Sequence, residues 1–197
     1  DEVRRSGVDL AFVDIGGGFG VQYDGHHDPD LLMDDVAEAL LPVLRASGLR
    51  LVVEPGRFIV GEAGVLLTRV EYVKRTTAKT FVIVDGGMTE LIRPSHYGGW
   101  HAIEPVVERC GAEERTVDVV GPICETGDFL ARDRRMPLPE PDDLLAVRTV
   151  GAYGFAMASN YNARPRPAEV IVWRGRPRLV RRRETLAELV RGETIPW

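Results

Sequence analysis

The chain has little cysteine, almost no lysine and no long apolar run, and each shortage removes a class of function. Its two cysteines, Cys110 and Cys124, stand apart with no CxxC spacing and no neighbouring histidine. They support neither a disulfide framework nor a thiolate metal site, so no metal is expected. No apolar stretch approaches the roughly 20 residues of a membrane-spanning helix. The start Asp1-Glu2-Val3-Arg4-Arg5 does not read as a signal peptide, and the expectation is a cytoplasmic protein with no membrane partner. Among 25 basic residues only Lys74 and Lys79 are lysines, which leaves two candidates for chemistry that needs an amine. A net charge of −5 argues against a nucleic-acid partner. The basic segment over residues 174–183 lacks interleaved aromatics and is expected to be a solvated hairpin.

What is present is a pattern that changes along the chain. Residues 8–15 form an apolar run of strand length that ends at Gly16-Gly17-Gly18. After a polar loop carrying His26 and His27, Asp28 is a candidate N-cap and Pro29 a first helical residue. Leu32, Val36, Leu40 and Leu44 make one apolar stripe, Pro42 predicts a kink, and Gly48 suits the position after the helix. Residues 49–54 read as the next strand. The crossover makes the two strands parallel, with both glycine motifs at the same edge. A second helix is expected over residues 59–67.

From there the pattern turns to β segments at residues 67–73, 80–85, 116–120, 144–149 and 169–173, with a short closing helix within 183–191. The division predicted is residues 1–70, an α/β part, and residues 71–197, a mostly antiparallel β domain. Two parallel strands alone have exposed edges and too little core, so the α/β part is expected to be the C-terminal portion of a larger α/β protein.

The chemistry is carried by short motifs at strand ends. Glu54-Pro55-Gly56-Arg57 ends an apolar strand, where parallel α/β folds place their chemistry. A proline sets the exit, a glycine lets backbone N–H groups approach an anion, and a carboxylate stands beside a guanidinium. Gly16-Gly17-Gly18 can offer successive N–H groups to a phosphate, though without the spacing of a dinucleotide site or a P-loop. Asp85-Gly86-Gly87-Met88 precedes Arg93-Pro94 and Tyr97, a guanidinium and a hydroxyl suited to a carboxylate. Gly121-Pro122-Ile123-Cys124-Glu125 sets a thiol beside a carboxylate. Gly151-Ala152-Tyr153-Gly154 and Asn160-Tyr161-Asn162 complete the series.

In this order, the seven motifs resemble the diaminopimelate decarboxylases, pyridoxal-phosphate enzymes that share the alanine racemase fold. The resemblance implies α/β plus β architecture: the C-terminal part of a (β/α)8 barrel followed by a β domain. It implies decarboxylation of meso-diaminopimelate to L-lysine and CO2, with pyridoxal 5'-phosphate as cofactor. Gly16, Gly17 and Gly18 would form the phosphate loop, helped by backbone groups of Pro55-Gly56-Arg57, and Glu54 would pair with the pyridinium nitrogen. Arg57, Arg93 and Tyr97 would bind the distal end of the substrate, Glu125 its distal amino group, and Tyr153 both cofactor and substrate. Cys124 would return a proton to the α-carbon. The family's Cys-Glu loop enters the neighbouring subunit's site, which implies a homodimer with shared sites.

The lysine that carries the family's cofactor, and a histidine that stacks on its ring, precede the first residue here. Lys74 and Lys79 lie in a polar stretch away from both glycine motifs, so the chain is expected to be inactive alone. Two alternatives stay open: a decarboxylase of lysine or ornithine, whose substrates lack the distal carboxylate that Arg93 and Tyr97 suit, and a non-catalytic truncated relative that acts as a dimer partner.

Overall fold

The computed structural model describes residues 2–23 and 33–197. His26, His27, Asp28, Pro29 and Leu32 lie outside the described residues.

The first region holds α1 (Glu2–Arg5), β1 (Phe12–Asp14), α2 (Met33–Ser47) and β2 (Arg50–Val52). β1 and β2 pair in parallel, from Phe12 opposite Arg50 to Asp14 opposite Val52. Both strands are shorter than expected from residues 8–15 and 49–54. A ladder extends only as far as it has a partner, and at its end the chain turns at Gly16, whose carbonyl accepts from the Glu54 N–H at 2.8 Å. Along α2 the residues Val36, Leu40 and Leu44 are half-buried on one face, while Val43 is exposed. Acids open this helix and Arg45 closes it, as the macrodipole favours. Pro42 sits inside it, and Gly48 follows with φ +68°.

The helix expected over 59–67 is displaced. α3 (Gly56–Val60) begins earlier, a single 3-10 turn covers Gly61–Ala63, and Gly64 is already extended. The reason is tertiary: a Cβ at Gly64 would lie 2.4 Å from the Gly151 Cα, so the chain leaves the helix to run against another backbone.

The second region is built on β3 (Leu66–Arg75), β4 (Thr80–Val84), α4 (Arg93–Tyr97), β5 (Ile103–Pro105), β6 (Glu114–Val120), β7 (Phe129–Pro137) and β8 (Leu144–Val147). These strands form one sheet in the order β5-β8-β3-β4-β6-β7. The β4–β6 pair is parallel and the other pairs are antiparallel. β3 organises the sheet: its first four residues pair with β8 and its residues from Val70 onward with β4. It runs unbroken through the point at which the sequence pattern changes. Val70, Val82, Val84, Leu91, Val117, Val119, Leu130, Leu145 and Val147 form a contiguous core. β7 escaped the sequence reading because four charged residues, Arg132 to Arg135, interrupt its apolar positions, and a bulge at Asp133, with φ +48°, shifts their alternation.

Beyond the sheet, β9 (Glu169–Trp173) and β10 (Arg176–Arg181) make the expected hairpin. Arg174 and Gly175 both take positive φ at its two-residue turn, which matches the strand twist. α5 (Leu186–Leu189) closes the chain, with Thr185 and Glu188 forming a capping box.

Candidate active site

The two glycine motifs meet because β1 and β2 end side by side. Gly16 and Gly18 take φ of +70° and +85°, which turn the chain back on itself after β1. The Asp14 carboxylate accepts from the Gly16 N–H at 2.8 Å and fixes the start of that turn. A Cβ at Gly17 would lie 2.6 Å from the Glu54 carbonyl oxygen, so only glycine fits against the second strand. The loop then folds over α3: Phe19 is buried, and Val21 stands within 3.2 Å of a Cβ built at Gly61.

Between these segments lies a cavity of about 450 Å³ lined by Gly17, Gly18, Phe19, Glu54, Pro55, Gly56, Arg57, Phe58 and Tyr153. Among the described residues the N–H groups of Gly17 and Gly18 have no hydrogen-bond partner, and neither the Glu54 carboxylate nor the Arg57 guanidinium is paired. The space thus offers two backbone donors, an anion and a cation to a small ligand.

Tyr153 reaches this cavity from the far end of the sheet region through a backbone seam. A Cβ at Gly151 would lie 1.8 Å from the Val60 carbonyl oxygen. The Gly151 N–H donates to the Gly61 carbonyl at 2.9 Å and the Val150 N–H to that of Gly64 at 3.0 Å. Glycines on both sides let the end of α3 and the loop after β8 touch main chain to main chain. Tyr153 itself takes φ +63°, a conformation rare for a side-chain-bearing residue, which turns it toward the glycine loop.

A second group forms around α4. The buried Asp128 carboxylate accepts from the N–H groups of Met88 and Ile123, each at 2.8 Å. A Cβ at Gly87 or Gly121 would fall within 2.3 Å of that carboxylate, so both glycines are needed around it. Asp128 therefore ties the loop before α4 to the loop that carries Cys124 and Glu125. Gly127 also stands against Ser95 of α4. Cys124 is exposed. Glu125 accepts from the Gly127 N–H at 3.2 Å and, weakly, from the Tyr161 hydroxyl at 3.4 Å.

Within this group Arg93 is held by a histidine that the sequence reading passed over. Arg93 Nη1 lies 2.9 Å from His101 Nε2. A guanidinium has no acceptor, so the imidazole nitrogen accepts; the other nitrogen, Nδ1, then donates to the Arg148 carbonyl at 2.9 Å. Burial pushes the His101 pKa down to about 4, and the positive charges of Arg93 and Arg134 press it the same way against the Arg148 hydrogen bond. Tyr23 meets the His101 ring edge to face at 5.1 Å and lies under the Arg93 guanidinium at 4.7 Å. Tyr97 projects into solvent at 62% exposure.

The structure thus gathers Gly17, Gly18, Glu54, Pro55, Gly56, Arg57 and Tyr153 in one cavity, with Gly16 shaping the loop. Arg93 and Tyr97 share α4, beside the loop of Cys124 and Glu125, and none of these four lines the cavity among the described residues. Lys79 is committed elsewhere, to Asp118 at 2.8 Å and Asp133 at 3.0 Å. His101 carried no local signal, being one imidazole in an irregular segment. Asp128 follows the Cys-Glu motif by three residues, but only its insertion between Gly87 and Gly121 reveals what it holds.

Comparison with known proteins converges on one family. The pattern of the family described as "Pyridoxal-dependent decarboxylase, C-terminal sheet domain" matches residues 13–151. A diaminopimelate decarboxylase of Pseudomonas aeruginosa is 51% identical over 195 residues, covering 99% of this chain and 46% of that protein. The crystal structure of diaminopimelate decarboxylase from Helicobacter pylori complexed with L-lysine superposes with a TM-score of 0.87 at 42% identity, over 96% of this chain and 46% of that one. The enzyme from M. jannaschii, in co-complex with L-lysine, gives 0.92 at 35% identity, over 99% and 45%. The chain spans about half the length of the curated relatives it matches.

Proposed function

The chain belongs to the pyridoxal-dependent decarboxylases, and from that premise we propose that it is the C-terminal part of an enzyme that converts meso-diaminopimelate to L-lysine and CO2. The observation that carries this reading is the meeting of three separate motifs in one cavity: Gly17-Gly18, Glu54 to Arg57, and Tyr153. In the same reading β1 and β2 are the last strands of a (β/α)8 barrel, residues 1–70 belong to that barrel and residues 71–197 to the β domain.

Pyridoxal 5'-phosphate suits the donor set. The N–H groups of Gly17 and Gly18 would donate to its phosphate, in a loop whose glycines leave the backbone open to an anion. The Glu54 carboxylate would accept from the ring nitrogen and keep a proton there. Tyr153 would border both cofactor and substrate. When bound, the cofactor supplies an electron sink for the pair released as CO2 leaves.

The remaining residues act on the substrate. Arg57, Arg93 and Tyr97 would bind its distal carboxylate, for which a guanidinium fork is the matching donor. Glu125 would bind the distal ammonium, and the Cys124 thiol would return the proton to the α-carbon. Cys124 and Glu125 sit on an exposed loop outside the cavity, an arrangement that suits entry into the site of a second subunit in a homodimer. A biosynthetic enzyme of this kind works on a small amino acid in the cytoplasm.

The test joins this chain to an upstream half of the kind its relatives possess, adds pyridoxal phosphate, reduces with borohydride and maps the modified lysine by mass spectrometry. Modification of an upstream lysine, with diaminopimelate-dependent release of CO2, is expected. Specific modification of Lys74 or Lys79 would overturn the site assignment.

A further inference from the structure

We infer that His101 is a positioning residue for the substrate: its buried imidazole accepts from Arg93 and aims the rest of that guanidinium at the second carboxylate of diaminopimelate. The inference rests on the role proposed above for Arg93 and deepens it.

The ring is itself fixed on every side. Nδ1 donates to the Arg148 carbonyl directly after β8, and the Arg148 N–H donates to the Ala102 carbonyl at 2.9 Å, which locks the two strands around the imidazole. Arg134 Nη1 donates to the His101 carbonyl at 2.7 Å while its guanidinium lies on the Trp100 ring at 4.0 Å. With Nδ1 engaged as donor, Nε2 has one lone pair to offer and one direction in which to offer it. Arg93 Nη1 takes it, Tyr23 covers one face of the guanidinium, and among the described residues the remaining N–H groups have no hydrogen-bond partner.

Buried or half-buried arginines commonly pair with a carboxylate, which orients them and cancels their charge. Among the described residues Arg93 has no carboxylate partner; the groups around it and His101 are Tyr23, Arg134 and Arg148, none of them anionic. An uncharged acceptor orients the guanidinium and leaves its positive charge for a ligand. The lowered proton affinity of His101 keeps it an acceptor at neutral pH. A histidine serving only to fill space would not need its bare nitrogen turned to the one half-exposed arginine of α4.

The test uses the complete holoenzyme and compares affinity for meso-diaminopimelate with affinity for L-lysine, which lacks the second carboxylate. His101→Leu is expected to weaken diaminopimelate binding and raise its KM about 10-fold, the order of one charged hydrogen bond, with L-lysine affinity within about twofold. His101→Gln, which keeps an acceptor, should restore most of the difference. Arg93→Ala serves as the reference and should abolish the preference for the second carboxylate. If Arg93→Ala leaves the preference intact, the reading of Arg93 fails and the inference with it. If Arg93→Ala removes it and folded His101→Leu does not, the inference alone is wrong. Should His101→Leu not fold, the unaltered holoenzyme decides by nitrogen NMR: a bare Nε2 whose resonance shifts with diaminopimelate but not with L-lysine is expected, and a protonated Nε2 sinks the proposal.

Discussion

The region before β3 and the sheet that follows it are held together by different means. Every member of the contiguous apolar core lies between Val70 and Val150. Among the described residues before Leu66, only Phe19 and Gly61 are buried. Yet the cavity lies mostly on the first region, the one with little interior of its own. A site of this kind takes its geometry from its neighbours: the glycine loop and α3 are pinned to the sheet by the Gly64–Gly151 seam and by Tyr23 lying against Arg93 and His101. The sheet supplies rigidity, and the first region supplies open backbone groups that a ligand can reach.

The largest test of that contrast is Leu145→Ala, at a fully buried position in the sheet. It should lower stability by about 4 kcal/mol in chemical denaturation, through lost transfer energy and the cavity left behind. A loss below about 1 kcal/mol would show that the sheet is not the stable half.

Acid should come next. His101 titrates at 6.5 when unfolded and about 4 when folded, so the unfolded chain takes up the proton first. Stability is full above pH 6.5, falls through that interval and has lost roughly 3 kcal/mol below pH 4. His101→Gln should flatten this slope in denaturation curves measured across pH; an unchanged slope would place its cause elsewhere.

Gly151→Ala strikes the seam itself, since its Cβ would overlap the Val60 carbonyl. A loss of roughly 2 kcal/mol is expected, together with weaker pyridoxal-phosphate binding by the complete enzyme. If cofactor affinity were untouched, the seam would not be what shapes the cavity. Smallest of the four is Leu40→Ala on the half-buried stripe of α2, about 1 kcal/mol, because much of that side chain already meets water. A loss matching that of Leu145→Ala would erase the distinction between the two regions.

Local pattern made much of the fold legible. Glycine motifs marked the ends of β1 and β2, the stripe through Val36, Leu40 and Leu44 marked α2, and β-branched runs marked β3, β4, β6, β8 and β9. β5 and β7 were not legible. One has three residues, and the other carries arginines and an aspartate where alternation should be clearest, because one of its faces is solvated and bulged. The helix expected over 59–67 failed for a different reason: Gly64 had to meet Gly151, which lies 87 positions along the chain. In the candidate site, Glu54, Arg57 and Tyr153 could be named from their motifs. His101 and Asp128 could not be assigned their partners, since each acts through groups that only the sheet brings near.

The sequence by itself determined the residue types of the chemistry and their order: glycines that open the backbone, a carboxylate and guanidinium at a strand end, a thiol beside a glutamate. These are local properties, set by side-chain chemistry and short-range geometry. Only the tertiary structure decided which groups share a space, which nitrogen of His101 carries the proton, and that Arg93 is held without being neutralised. The proton on His101 is set by Arg148, 47 positions away, and although Arg93 and His101 stand only eight positions apart, no local pattern shows that they face one another.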